Sequence, residues 1–232
     1  MVQSLSTVIN NGRAVSLDNV AVLNPEQFAQ AITGSIAFGE RVAALFGKNS
    51  DNPDTVELFA VIADDDQNEL KLCRTEISGY EFNSITPKCP QVHMFEREIA
   101  EQFGVKVKDH PWFKPVRYHK SYTKADAWGR GRDTEILPAV CDFYKLEGEQ
   151  VHEVSVGPVH AGIIEPGHFR FQCHGEMVYH LEIALGFQHR GIEKALINGP
   201  DKRSLYFAET IAGDTSIGHG TSYCQVVEAL SN

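Results

Sequence analysis

SITPKCPQVHMFEREIAEQFGV, residues 84–105, decides how the first half of the chain is organised. Within it Val92, Phe95, Ile99 and Phe103 recur at helical spacing, so QVHMFEREIAEQFG reads as an amphipathic helix with one apolar stripe. Gly104 follows the last stripe residue and suits the left-handed position that ends a helix. The glutamates and arginine of FEREIAEQFG read as subunit contacts or surface pairs, with no catalytic assignment. Toward the N-terminus, VELFAVIA (56–63) and ELKLCRTEI (69–77) flank the acidic turn DDDQN and predict a hairpin. Before it, NPEQFAQAITGSIAFGERVAALFG (24–47) predicts an amphipathic helix capped by Asn24 and opened by Pro25. Phe28, Ile32, Ile36, Val42, Leu45 and Phe46 lie on its apolar positions, and Gly34 and Gly39 weaken or kink it.

Toward the C-terminus the composition shifts. KSYTKADAWGRGRDTEILP mixes glycine, charge and proline without a period and predicts a linker over residues 119–150. A strand-like VHEVSV follows, then a turn at Gly157-Pro158. In HFRFQCHGEMVYHLEIAL, Phe169, Phe171 and Cys173 alternate with His168, Arg170, Gln172 and His174. After Gly175-Glu176 the residues Tyr179, Leu181, Ile183 and Leu185 repeat the pattern, which predicts a second hairpin. Three helical stretches complete the chain: HRGIEKALIN, DKRSLYFAETIA and one from about Asp214 to Leu230. The expected architecture is α+β, with domains at 1–118 and 151–232 joined by the 119–150 linker.

A chain of 232 residues with 42 % apolar residues can bury one or two ordinary cores. A formal charge of −10 argues against a nucleic-acid partner, which requires a clustered basic surface. MVQSLSTVINNG lacks the basic and apolar regions of a secretory signal, and no window approaches the roughly 20 apolar residues of a membrane span. Residence in the cytoplasm is the expectation. The five cysteines, at 73, 89, 141, 173 and 224, contain no CxxC and read as free thiols of a reducing compartment. Histidines at 152, 160, 168, 174, 180 and 189 are irregularly spaced, with no HExxH, and do not make a zinc site.

Three segments, in order, carry a family resemblance. Residues 84–105 with Asp109-His110-Pro111 resemble the 30-kDa subunit of respiratory complex I, a region shared by the large subunits of group 4 membrane-bound hydrogenases of the formate hydrogenlyase type. GPVHAGIIEPGHFRF (157–171) resembles the opening loop and strand of the hydrogenase large subunit or complex I 49-kDa subunit. GFQHRGIEKAL (186–196) resembles the helix of that superfamily that carries HRGxEK. The order matches a fusion of the two subunits, with residues 1–118 as the 30-kDa-like domain and 151–232 as the first part of the large-subunit domain. Such chains continue into a long helical domain with a second cysteine pair, so a chain ending at VVEALSN is expected to be a truncated or split product.

The resemblance makes ETIAGDTSIGH (209–219) the expected active-site segment. Nickel-iron hydrogenases read RxCGxCxxxH there, because soft thiolates suit nickel and iron. Here Gly213 and His219 remain, Ala212 and Thr215 stand at the cysteine positions, and Thr210 replaces the arginine. The nickel-iron centre is expected to be absent, and the chain to bind no cofactor alone. The quinone-binding histidine and tyrosine of complex I fall on Ile164 and Gly213, neither of which can bond a quinone through its side chain.

By resemblance, Arg190, with His189 beside it, lies next to a partner's [4Fe-4S] cluster, where a fixed cation raises the reduction potential. Glu193 and His219 are candidates for proton transfer, work that suits a partly buried carboxylate. Asp214 and Thr215 would line the vestigial cavity, with Thr215, His219 and Tyr223 spaced four apart. The implied role is that of a subunit of an NADH:quinone oxidoreductase-like or hydrogenase-like complex, inactive alone, on the inner face of the cell membrane. Its implied partners are a small ferredoxin-like iron-sulfur subunit and antiporter-like membrane subunits. The alternative is a docking or assembly subunit without catalysis.

Overall fold

The computed structural model describes residues 5–137, 142–158 and 165–231, and the chain divides into two compact units, Met1–Ile136 and Leu137–Asn232. The expectations for Cys141, His160 and Ile164 lie outside the described residues.

In the first unit, β1 (Thr7–Asn10), β2 (Ala21–Leu23), β3 (Arg41–Asn49), β4 (Thr55–Asp64) and β5 (Glu69–Ser78) form one sheet in the order β1-β5-β4-β3. β1 and β2 pair with successive parts of β5, antiparallel at 69–72 and parallel at 73–75. The predicted hairpin is β4–β5, in register from Thr55↔Ser78 to Asp64↔Glu69. One sheet face carries Leu45, Leu58, Cys73 and Ile77, which join a single core with Phe28 and Ile32 of α1 (Pro25–Ala37) and Ile99 and Phe103 of α2 (His93–Phe103). Burial of these side chains supplies most of the driving force for the unit. β6 (Glu81–Asn83) and β7 (Lys106–Lys108) bracket α2 as a separate parallel pair.

α1 begins as expected: Asn24 accepts from the Gln27 backbone N–H at 2.8 Å, and the Gln27 side chain accepts from Asn24 N–H at 3.2 Å, a complete capping box. It ends earlier than expected. Gly39 sits at φ +89°, and residues 41–49 form β3 rather than continuing the helix. Apolar residues at 42, 45 and 46 satisfy a helical period and a bulged strand equally over so short a run, and a bulge lies between Val42 and Ala44. The tertiary demand decides, since β4 is buried along nearly its whole length and requires neighbours on both edges.

The expected linker is also corrected. Residues 119–136 belong to the first compact unit and close the C-terminus of α2. Tyr122 N–H donates to Gln102 O at 2.7 Å and Thr123 Oγ1 donates to Phe103 O at 2.8 Å, satisfying carbonyls that a helix end leaves without partners. Trp128 stacks on Phe113 with ring centroids 5.2 Å apart.

The second unit holds β8 (Val151–Val156), β9 (His168–His174) and β10 (Met177–Ala184) as an antiparallel sheet in the order β10-β9-β8. It is followed by α3 (Ile192–Leu196), α4 (Ser204–Glu209) and α5 (Ser216–Ser231). The predicted hairpin is present, but the covered face is the polar one. Gln172 Nε2 donates to Glu153 at 2.7 Å, Arg170 pairs with Glu153 at 2.6 Å, and Glu182, 5 % exposed, accepts from Tyr144 N–H at 3.0 Å. On the other face Val154, Phe171 and Leu181 align across the strands, as do Val156, Phe169 and Ile183; four of the six, Val154, Val156, Leu181 and Ile183, are exposed.

Two glycine substitutions separate backbone strain from packing in the first unit. A Cβ at Gly104, φ +70°, would stand 2.4 Å from the Ala125 carbonyl, whereas one at Gly39 meets nothing within 4 Å. Thermal unfolding should show Gly104→Ala destabilised by about 3 kcal/mol and Gly39→Ala by about 1 kcal/mol. Equal losses would contradict the packing of residues 119–136 on α2.

Candidate functional site

Glu96, Arg97 and Glu101 of FEREIAEQFG are buried, which corrects the expectation of surface or subunit pairs for these three, whereas Glu98 is partly exposed and pairs with Arg117 at 2.5 Å. Glu96 is 0 % exposed and Glu101 1 %. Glu96 accepts from Ile85 N–H at 2.6 Å, Ser84 Oγ at 2.6 Å and Thr86 Oγ1 at 2.6 Å, fixing the loop before α2. Glu101 accepts from three consecutive backbone N–H groups: Val116 at 3.2 Å, Arg117 at 2.7 Å and Tyr118 at 2.7 Å. Between them Arg97 donates to Lys114 O at 2.7 Å and Pro115 O at 2.9 Å. One helix thus carries two carboxylates and a guanidinium that hold the segments before and after it. A sequence signal existed for Glu96, which lies four residues after Val92 and three before Ile99, on the apolar stripe itself. None existed for Glu101, because its side of the helix is covered only by the loop beyond.

His110, from the Asp109-His110-Pro111 part of the motif, stacks on His93 with centroids 5.2 Å apart. Its Nδ1 accepts from Trp112 N–H at 3.0 Å, so Nε2 carries the proton and faces His93 O at 3.2 Å, with Glu96 3.8 Å away. Burial, with the Arg97 charge adding to it, holds the His110 imidazole below its ordinary 6.5, and the same two causes act on His93.

In the second unit the structure brings two of the predicted segments together. The Arg190 guanidinium donates to the carbonyl of Thr210, the residue that caps α4 within ETIAGDTSIGH. His189 and Glu193 are exposed beside it, Glu193 in the first turn of α3 and not partly buried as expected. Gly213, Asp214 and Thr215 form a single 3-10 turn that leads into α5, and the Asp214 and Thr215 side chains are exposed. His219 and Tyr223 lie one turn apart on α5, half-buried, and the Tyr223 hydroxyl is buried without a hydrogen-bond partner among the described residues. No three His, Cys, Asp or Glu side chains among the described residues converge on a possible metal position.

Two outcomes follow for the first unit. Glu101→Ala removes the acceptor of the Val116, Arg117 and Tyr118 N–H groups, the last of them buried, and should cost about 3 kcal/mol in denaturant unfolding. Because His93 and His110 bind protons less readily when folded, the unfolded chain takes up more protons near pH 6.5. Stability should therefore fall as pH drops through about 6.5, and His110→Gln should flatten that slope; a slope unchanged by the substitution would remove His110 as its source.

Known proteins resemble parts of this chain. Residues 26–125, from α1 through the segment that closes α2, match the family of the respiratory-chain NADH dehydrogenase 30-kDa subunit. Hydrogenase-4 component G of Escherichia coli (strain K12) is 26 % identical over 166 residues, 64 % of this chain and 28 % of the relative. Formate hydrogenlyase subunit 5 of the same organism is 26 % identical over 159 residues, with the same coverage of each chain. The carbon monoxide-induced hydrogenase of Rhodospirillum rubrum is 30 % identical over 80 residues, 34 % of this chain and 22 % of the relative. The chain thus spans less than a third of the length of these relatives. The chain is thus similar to the complex I 30-kDa subunit over residues 26–125, and over 64 % of its length to components of hydrogenase and formate hydrogenlyase complexes.

Proposed function

We propose that this chain is a peripheral subunit of a membrane-associated, complex I-like or hydrogenase-related oxidoreductase, seated beside an iron-sulfur subunit whose electrons it helps to handle. The observation that carries the reading is the similarity to hydrogenase components over 64 % of the chain, beside the match of residues 26–125 to the 30-kDa subunit family. Attachment would be through partners, since among the described residues no helix is long and apolar enough to cross a membrane. A ferredoxin-like iron-sulfur subunit and antiporter-like membrane subunits are the proposed neighbours, with the inner membrane face as the location.

The donor set at the expected active-site segment does not fit a nickel-iron centre. Ala212 presents a methyl group and Thr215 an exposed hydroxyl where two thiolates are required. Chemistry at a metal is therefore not assigned to this chain. What its own residues offer is a fixed cation, Arg190, tied to the Thr210 carbonyl, and an exposed carboxylate, Glu193, one turn further on. A [4Fe-4S] cluster held by the partner would supply one-electron transfer, and Arg190 would favour its reduced state.

The second reading, a docking subunit without a redox role, is favoured by those same two substitutions and by the exposed apolar sheet face of the second unit. Cluster potentials measured in the intact complex distinguish the two. Arg190→Ala should lower the potential of the adjacent cluster by on the order of tens of millivolts, and Glu193→Gln should slow turnover several-fold without loss of assembly. Unchanged potential and turnover in a correctly assembled complex would leave the docking role.

A further inference from the structure

Residues 114–132 hold six of the chain's 21 Lys and Arg residues and one of its 31 Asp and Glu residues, a positive segment in a protein of formal charge −10. Four of those cations, Lys120, Lys124, Arg130 and Arg132, line a cleft of about 300 Å³ in the part of the first unit that closes α2. Asp126 is the acid among the described lining residues, and it is already paired. Its Oδ2 accepts from Arg130 Nε at 2.9 Å and Nη2 at 2.7 Å, and its Oδ1 accepts from the Trp128 and Arg130 backbone N–H groups at 2.9 and 3.0 Å. The other three cations have no carboxylate partner among the described residues. Lys120 Nζ donates to the Arg132 carbonyl at 3.3 Å, and the Lys124 and Arg132 residues are exposed. The wall that carries them is fastened to α2, because Ser121 Oγ donates to Gln102 O at 3.0 Å and Thr123 Oγ1 to Phe103 O at 2.8 Å.

We propose that this cleft binds a phosphate-class dianion, supplied by a soluble phosphomonoester or by the monoester headgroup of phosphatidic acid. Three cations without counter-charge on one concave surface set up a local positive potential that concentrates anions. A phosphomonoester brings a charge of about −1.5 to −2 at neutral pH and three terminal oxygens, which matches three separate cationic donors. The Arg132 guanidinium can bond two of those oxygens at once, and Lys120 and Lys124 act as point charges. A carboxylate brings a single charge and two oxygens in one plane, so it leaves part of the cleft uncompensated. The exposed Thr134 on the lining adds a neutral hydroxyl donor. The fastening of residues 121 and 123 to α2 and the closed Asp126–Arg130 pair leave less to be ordered when the ligand arrives. The site stands independently of the redox reading, because every described lining residue belongs to residues 120–136.

Titration of the full chain with glycerol 3-phosphate at neutral pH and low salt, followed by amide NMR, tests the proposal. Saturable shifts are expected at residues 120–134, with acetate binding at least tenfold more weakly. Lys124→Gln and Arg132→Gln should each weaken glycerol 3-phosphate about tenfold, the loss of one charge-assisted hydrogen bond, and both should keep the fold because the residues are exposed. Lys88→Gln, at an exposed lysine outside the cleft, should leave the affinity unchanged. Sedimentation with phosphatidylcholine vesicles, with and without phosphatidic acid, identifies the source. Capture that requires both phosphatidic acid and Arg132 assigns the lipid headgroup, and glycerol 3-phosphate binding without capture assigns a soluble ester. Absence of saturable binding to either probe, equal affinity for acetate, or a loss in Lys88→Gln as large as in Arg132→Gln would each overturn the assignment.

Discussion

The Glu101 carboxylate, buried and accepting the N–H groups of Val116, Arg117 and Tyr118, is the interaction on which the first unit depends. A buried charge is expensive, and it persists only where hydrogen bonds replace its hydration. Glu101 meets that condition by organising three consecutive peptide groups, and in doing so it fixes the chain that runs on to Trp128. That chain covers the second side of α2 and satisfies its C-terminal carbonyls. α2 becomes an interior helix with one apolar stripe toward the sheet and a charged stripe toward its own loop. Glu96 and Arg97 perform the same work on either side, so the charged letters of the motif are there for architecture.

How much of this was legible in the sequence depends on whether neighbours along the chain or across space decide the structure. The α1 cap, the β4–β5 and β9–β10 hairpins and the Gly104 stop are local, and each is present as read. β3 was hidden because Val42, Leu45 and Phe46 fit two periodicities, and only the requirement of β4 for an edge partner chooses between them. The linker was misread because KSYTKADAWGRGRD has no period of its own; its order comes from α2 carbonyls and the Phe113 ring. Alternation in the hairpin does not say which face is covered; that is decided by residues 142–146, where the Tyr144 and Leu146 N–H groups bind Glu182 and Gln172 on the polar side.

At the candidate site the division is similar. Motif spacing located the two segments that meet, and the Arg190–Thr210 contact joins them in space. Burial was less readable. Glu193 is exposed on a five-residue helix, and Thr215 precedes α5 rather than lying within it. An exposed cation tethered to a helix-terminal carbonyl has a restricted position without being enclosed. In the same unit the row Val154, Leu181, Val156 and Ile183 stays exposed.

Purification of the native protein from detergent-solubilised membranes, with mass-spectrometric identification of what accompanies it, tests membership of a redox complex most directly. Stoichiometric recovery of an iron-sulfur subunit together with antiporter-like membrane subunits is the predicted result. Recovery of the chain alone in the soluble fraction, with no membrane or iron-sulfur partner, would contradict it.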